Sequence, residues 1–173
     1  MNKENNRAQG QRSERIQASS QWRDGAFRNP SGANAMIGAG ETLPVVKEFI
    51  TGGKKRSPGG VGLPTTDPLP SWRKAIDSGF RVTWLGHSTL LVEIDGVRIL
   101  TDPVWAHRVS PIGFAGPKRF QPMPVGLESL PELDAVIISH DHYDHLDRPT
   151  VERLAKKGIP IVTSLGVGKH FAK

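Results

Sequence analysis

The stretch AVIISHDHYDHLD, residues 135–147, decides the reading of this chain. An apolar run ends at Ser139, and three histidines and three aspartates then crowd into residues 140–147. The run Ala135–Ile138 reads as a buried strand, because four consecutive apolar residues suit a strand covered on both faces. The polar cluster therefore sits in the loop at a strand end. His140 and His142 are two apart, so in an extended segment they project to one side and can hold one metal ion. Asp144 and His145 can turn towards a second position. Zinc accepts imidazole nitrogen and carboxylate oxygen, and a catalytic site keeps a coordination position open for water. Two neighbouring metals suit hydrolysis of phosphodiesters, thioesters or amides.

Working upstream, STLLVEIDGVRILTD (88–102) is a hairpin signal: two β-rich runs flank Asp95-Gly96, a dipeptide that accepts a type I′ turn. FRVTWLG (80–86) has strand character before it. SWRKAIDSG (71–79) reads as a short helix, capped by Ser71 and ended by Gly79. Residues 103–131 hold six prolines and three glycines and read as a long loop. Downstream, DRPTVERLAKKG (147–158) reads as a helix with Asp147 as cap, Pro149 in the first turn, Gly158 as stop, and Val151, Leu154 and Ala155 on the buried side. IPIVTS (159–164) reads as another strand, and GVGKHFAK (166–173) as a loop entering a helix.

Residues 1–67 are different. They are polar or Gly/Pro-rich, with isolated Ile16 and Trp22, and read as a poorly ordered, linker-like extension; residues 68–173 form the expected globular domain. Within the extension, LPVVKEFI (43–50) could form an amphipathic helix through Val45, Val46, Phe49 and Ile50, resting on the folded domain or on a membrane.

The whole chain has 173 residues, 36% of them hydrophobic, with 19 glycines and 14 prolines. That bounds it to one domain of ordinary size plus a less patterned part. The formal charge of +6 favours anionic partners without choosing among them. With no cysteine, disulfides are excluded and any metal site must use His, Asp, Glu or water. No apolar run approaches the roughly 20 residues that span a bilayer, and the N-terminus lacks the apolar stretch of a secretory signal, so the expected location is the cytoplasm, with peripheral membrane contact left open.

SHDHYDHLD resembles the metal-binding motif of the metallo-β-lactamase superfamily. VTWLGHSTLLVEIDGVRILTDPVW, SPIGFAGPKRF and LPELDAVIISHDHYDHLD together resemble one branch, that of the N-acyl-phosphatidylethanolamine-hydrolysing phospholipase D and its bacterial relatives. The resemblance covers about residues 68–173 and implies an α/β fold, the first half of a four-layer αββα sandwich. It implies zinc, with His140 and His142 on the first ion and Asp144 and His145 on the second, Asp144 also orienting the attacking water. It places His87 of GHST near the site mouth, in a catalytic part, a packed strand-end histidine being the other reading. Asp102 of LTDP would hydrogen-bond a ligand histidine and fix its tautomer, or else serve the turn before Pro103. Lys118 and Arg119 of GPKRF would contact a substrate phosphate, or form a solvated loop. His107 reads as exposed, His170 as outside the ligand set, and Trp84 and Trp105 as packing residues.

The implied activity is phosphodiester hydrolysis by a metal-activated water, with a phospholipid or other phosphodiester as substrate. The family pattern needs three further ligands beyond Lys173, so the chain reads as C-terminally truncated. Half a sandwich leaves an apolar sheet face without a partner, which a missing C-terminal half or a second copy would cover. Two alternatives stay open: an inactive fragment of the fold, and a nuclease-type member. Nucleic acid is disfavoured, since much of the positive charge lies in the N-terminal arm without interleaved aromatics.

Overall fold

In the computed structural model, residues 3–33, 43, 44, 47, 51, 62–76, 79–110 and 116–171 are described here. The chain divides into two units, residues 1–63 and 64–173.

The first unit contains helix α1 (Lys3–Gln17) and two short antiparallel strands, β1 (Trp22–Arg23) and β2 (Ala26–Phe27). These elements correct the expectation of an unpatterned arm. α1 is rich in Lys, Glu, Gln and Arg, which favour helix on propensity alone, and it has no apolar stripe for a periodicity argument to find. The hairpin turns at Asp24-Gly25, both at positive φ (54° and 75°), as a type I′ turn requires. Trp22 and Phe27 meet across it edge to face, ring centroids 5.0 Å apart. Val45, Val46, Phe49 and Ile50, the expected amphipathic stripe, lie outside the described residues.

The second unit is built on a five-stranded mixed sheet, which together with few helices makes it α/β. Its strands are β3 (Phe80–Gly86), β4 (Thr89–Ile94), β5 (Val97–Thr101), β6 (Ala135–Ile138) and β7 (Ile161–Thr163), in that spatial order. The β3–β4 and β4–β5 pairs are antiparallel, the β5–β6 and β6–β7 pairs parallel. Asp95 and Gly96 turn β4 into β5 at φ 48° and 83°, as the sequence indicates. Residues 103–131 carry one short 3-10 turn, Leu127–Ser129, among those described.

Two helices accompany the sheet. Helix α2 covers Leu69–Trp72 alone, earlier and shorter than the expected 71–79. Pro70 suits a first turn, the Asp67 carboxylate accepts from the Leu69 amide at 3.0 Å, and Ser71 lies inside the helix. The Arg81 guanidinium takes the Ser71 and Lys74 carbonyls at 2.6 and 3.3 Å, acceptors a longer helix would use itself. Helix α3 (Arg148–Lys156) buries Thr150, Val151 and Leu154. Ala155, expected on that face, is exposed. Asp147 occupies the cap position without capping: its Oδ2 accepts from the Trp105 and Ala106 amides and the Thr150 hydroxyl at 3.0, 2.8 and 2.6 Å.

The core lies on one face of the sheet. Leu85, Leu91, Leu100, Val136 and Ile138 pack there with Trp72, Leu127, Val151 and Leu154. The strand registers set Phe80, Ile94 and Val97 in one row of the opposite face, Val82, Val92 and Ile99 in the next, and Trp84, Leu90, Ile137 and Val162 in a third. That second face is apolar and open: Trp84 is 55% exposed, Val162 56% and Ile137 38%. β6 is therefore covered on one side, which corrects the expectation of a strand buried on both. Trp84 is likewise not a packing residue; alternation along β3 turns it to the open face.

Among the buried polar groups, Glu93 is 1% exposed and is held by two arginines. Arg81 reaches it at 2.5 and 2.8 Å and Arg98 at 3.1 Å. The Arg81 hydrogen bond, followed by Arg98, holds the Glu93 carboxyl below its ordinary range against the opposing effect of burial.

Candidate metal centre

The sheet brings the ends of β3, β5 and β6 together at one edge of the second unit. After β5, Asp102 takes a left-handed backbone (φ 39°), its amide donating to the Ile137 carbonyl of β6 at 2.8 Å. The Thr89 hydroxyl donates to the Asp102 carbonyl at 2.7 Å. These bonds aim the Asp102 carboxylate at the loop after β6. Its Oδ1 accepts from the Ser139 amide at 2.7 Å, and its Oδ2 accepts from the Ser139 hydroxyl at 2.8 Å. The same Oδ2 lies 2.9 Å from His145 Nδ1. A proton shared there leaves His145 Nε2 with its lone pair outward, the form a metal ligand needs.

Asp144 stands beside that nitrogen, its Oδ2 3.7 Å from His145 Nε2 and 3.0 Å from His87 Nε2. Burial opposes ionisation of Asp144, but its own backbone amide, then His145 and His87, hold its carboxyl below the ordinary range. One ligand atom from each of His87, Asp144 and His145 lies within 4.8 Å of the others.

The other histidines are close but outside that group. The His140 ring lies 4.0 Å from His145 and 4.6 Å from His142, centroid to centroid. His140 Nδ1 is 2.9 Å from the Ser139 hydroxyl, which leaves its Nε2 available. His170 Nε2 contacts Asp141 at 3.0 Å, and His107 is exposed. The donor set, imidazole nitrogens and a carboxylate without thiolate, fits zinc and other divalent first-row ions.

Lys118 and Arg119 diverge. Lys118 is exposed, its backbone paired with that of Arg108 in an isolated antiparallel bridge. Arg119 turns inward: its Nη2 donates to the Val104 carbonyl at 2.6 Å, and its Nε is buried without a hydrogen-bond partner. Burial lowers the Arg119 guanidinium from its ordinary value, with Asp147 opposing. Arg119 and His87 line a cavity of about 100 Å³ with Thr65, Trp84 and Gln121. Gly86 stands beside it at φ 122°, a backbone that favours glycine, and a Cβ there would lie 3.0 Å from Arg119 Nη1.

Sequence reasoning did not find the role of Trp84 in this corner. Its indole N–H donates to the His87 carbonyl at 2.8 Å, fixing a residue in left-handed backbone (φ 49°). The spacing W-x-x-H is a weak signal, and only the β-bulge between Trp84 and Gly86 gives it meaning.

Residues 97–173 match the family described as beta-lactamase superfamily domain. Together with the His/Asp loop at the strand ends, this match defines the class of that part of the chain: residues 97–173 are a metallo-β-lactamase superfamily domain. An uncharacterized protein of Mycobacterium tuberculosis (strain ATCC 25618 / H37Rv) is 43% identical over 151 residues, covering 87% of this chain and 40% of that protein. N-acyl-phosphatidylethanolamine-hydrolyzing phospholipase D 1 of Caenorhabditis elegans is 58% identical over 78 residues, 45% of this chain and 22% of that one. A metal-dependent hydrolase of Anaeromyxobacter sp. (strain K) is 32% identical over 99 residues, 57% of this chain and 32% of that one. The chain thus spans less than half the length of these relatives. Among the described residues, no helix is long and apolar enough to cross a membrane.

Proposed function

We propose that this chain is part of a metal-dependent hydrolase, a phosphodiesterase of the N-acyl-phosphatidylethanolamine phospholipase D type. The observation that carries the reading is the Asp102–His145 contact, which presents His145 Nε2 beside an ionised Asp144. The 58% identity to the nematode phospholipase D supports the substrate class. In this reading His140 and His142 would hold one ion, and Asp144 and His145 a second. Bound zinc supplies Lewis acidity towards water and towards a phosphoryl oxygen. The residues of the chain do the rest. Asp144, kept ionised, orients the attacking water and accepts its proton. Asp102 keeps His145 in one tautomer. Arg119, with Lys118 nearby in sequence, offers cationic donors to the substrate phosphate.

The fold carries a matching proposal: the sheet is one half of a four-layer αββα sandwich, and its open apolar face is where a second sheet packs. The open rows of Val82, Trp84, Ile137 and Val162 support it.

The test is hydrolysis of bis(p-nitrophenyl) phosphate and of N-acyl-phosphatidylethanolamine in mixed micelles by the zinc-loaded chain, with RNA as a competing substrate. The reading expects phosphodiester cleavage that a chelator or Asp144→Asn abolishes. Tight metal binding without turnover would instead favour a non-catalytic member of the fold, and cleavage of RNA alone a nuclease.

A further inference from the structure

We propose that His87, outside the H-x-H-x-D-H motif, is itself a metal ligand, and that His87 Nε2, the Asp144 carboxylate and His145 Nε2 share one divalent cation. The inference rests on the metal-dependent reading above and changes its ligand set.

The distances carry it. Zinc holds nitrogen and oxygen ligands at about 2.0–2.2 Å in a tetrahedron, so neighbouring ligand atoms sit about 3.4 Å apart. Asp144 Oδ2 lies 3.0 Å from His87 Nε2 and 3.7 Å from His145 Nε2, on either side of that edge. One ligand atom from each of the three residues lies within 4.8 Å of the others.

The local backbone sets where the imidazole starts. His87 is the first residue of the two-residue turn between β3 and β4, where its φ of 49° is what the turn requires. The Trp84 indole fixes its carbonyl from one side, and Gly86, at φ 122°, leads the chain into the turn. The result is a half-exposed imidazole aimed at the Asp144 carboxylate. As a bare surface ion pair the contact is worth little; a shared cation would add to it. His145 is already prepared for it, since Asp102 occupies its Nδ1. Two imidazoles and a carboxylate select a divalent ion of the zinc, cobalt or manganese kind over calcium, which takes oxygen ligands.

The test is titration of the full 173-residue chain with cobalt(II) alone, followed by visible absorption, for wild type, His87→Asn and His142→Ala. Asparagine accepts left-handed backbone, so His87→Asn removes the ligand and keeps the turn. Far-UV circular dichroism and a melting curve report whether it folds. The expected result is a drop in cobalt affinity of about tenfold or more in His87→Asn, no smaller than the loss of an outer-shell partner, with a one-to-one site kept in His142→Ala. A folded His87→Asn that binds as wild type overturns the proposal and leaves the hydrolase reading intact, whereas a wild-type chain that binds no cobalt overturns both. If His87→Asn fails to fold, nitrogen NMR of the wild-type imidazoles on zinc addition decides. A shift of His87 Nε2 supports the site, and an unmoved His87 beside a shifted His145 overturns it.

Discussion

His145 Nδ1 lies 2.9 Å from Asp102 Oδ2, and the two residues are 43 positions apart in the chain. The carboxylate comes from the end of β5 and the imidazole from the loop after β6, so parallel pairing of these strands creates the contact. Its consequence is chemical: a histidine whose Nδ1 is occupied offers only Nε2 to a ligand. Asp102→Asn tests this. Asparagine accepts the left-handed backbone and can still receive the Ser139 amide, but it no longer holds the histidine as a charged acceptor. Zinc affinity is expected to fall about 10- to 100-fold, read by competition against a chromophoric chelator, with the melting temperature of the metal-free chain changing far less.

Glu93 contributes to the acid sensitivity of the second unit. Its folded-state carboxyl titrates below the ordinary value because Arg81 and then Arg98 hydrogen-bond to it. The stability it contributes is complete above its unfolded pKa of about 4.3 and is lost as pH falls through the lower, folded-state pKa. Metal-free chain should therefore show a falling melting temperature below about pH 4. Glu93→Ala leaves Arg81 and Arg98 without their partner and should cost about 3–5 kcal/mol at neutral pH, measured by urea unfolding.

Gly86 joins stability to the site. At φ 122° an alanine is strained, and its Cβ would meet Arg119 Nη1 at 3.0 Å. Gly86→Ala is expected to destabilise by about 1–3 kcal/mol. It should also weaken metal binding, because His87 follows directly. A variant that melts and binds like wild type would show that this corner tolerates movement.

The two faces of the sheet predict opposite responses. Leu91 is fully buried on the covered face, and Leu91→Ala should cost about 2–5 kcal/mol. Val82 is 45% exposed on the other face, and Val82→Ala should cost less than about 1 kcal/mol in this chain. Chemical denaturation of the two variants side by side separates the faces. A large loss in Val82→Ala would mean that the open face is already covered in solution.

The strands from Phe80 to Thr101 were legible because their signals are local. Alternation along β3 and the Asp95-Gly96 turn each lie within a few residues. α1 was not legible, since propensity without an apolar stripe leaves no periodicity. The burial of β6 was misjudged for a related reason: Ala135–Ile138 is apolar throughout, and composition cannot say which face has a partner. At the site, the crowding of His140, His142, Asp144 and His145 is visible in six residues of sequence. The approach of His87 to Asp144 spans 57 positions and depends on strand order, so no spacing rule exposes it. Asp147 reads locally as a helix cap, but its carboxylate goes to the Trp105 and Ala106 amides in a loop 42 and 41 residues away.

The central claim is that a divalent ion sits at the Asp144–His145 corner. Anomalous diffraction from crystals of the zinc-loaded chain, collected at the zinc edge, tests it most directly. The account predicts a peak about 2.0–2.2 Å from His145 Nε2 and from an Asp144 oxygen. Ordered zinc elsewhere on the surface, with this corner empty and His145 still paired to Asp102, would contradict it.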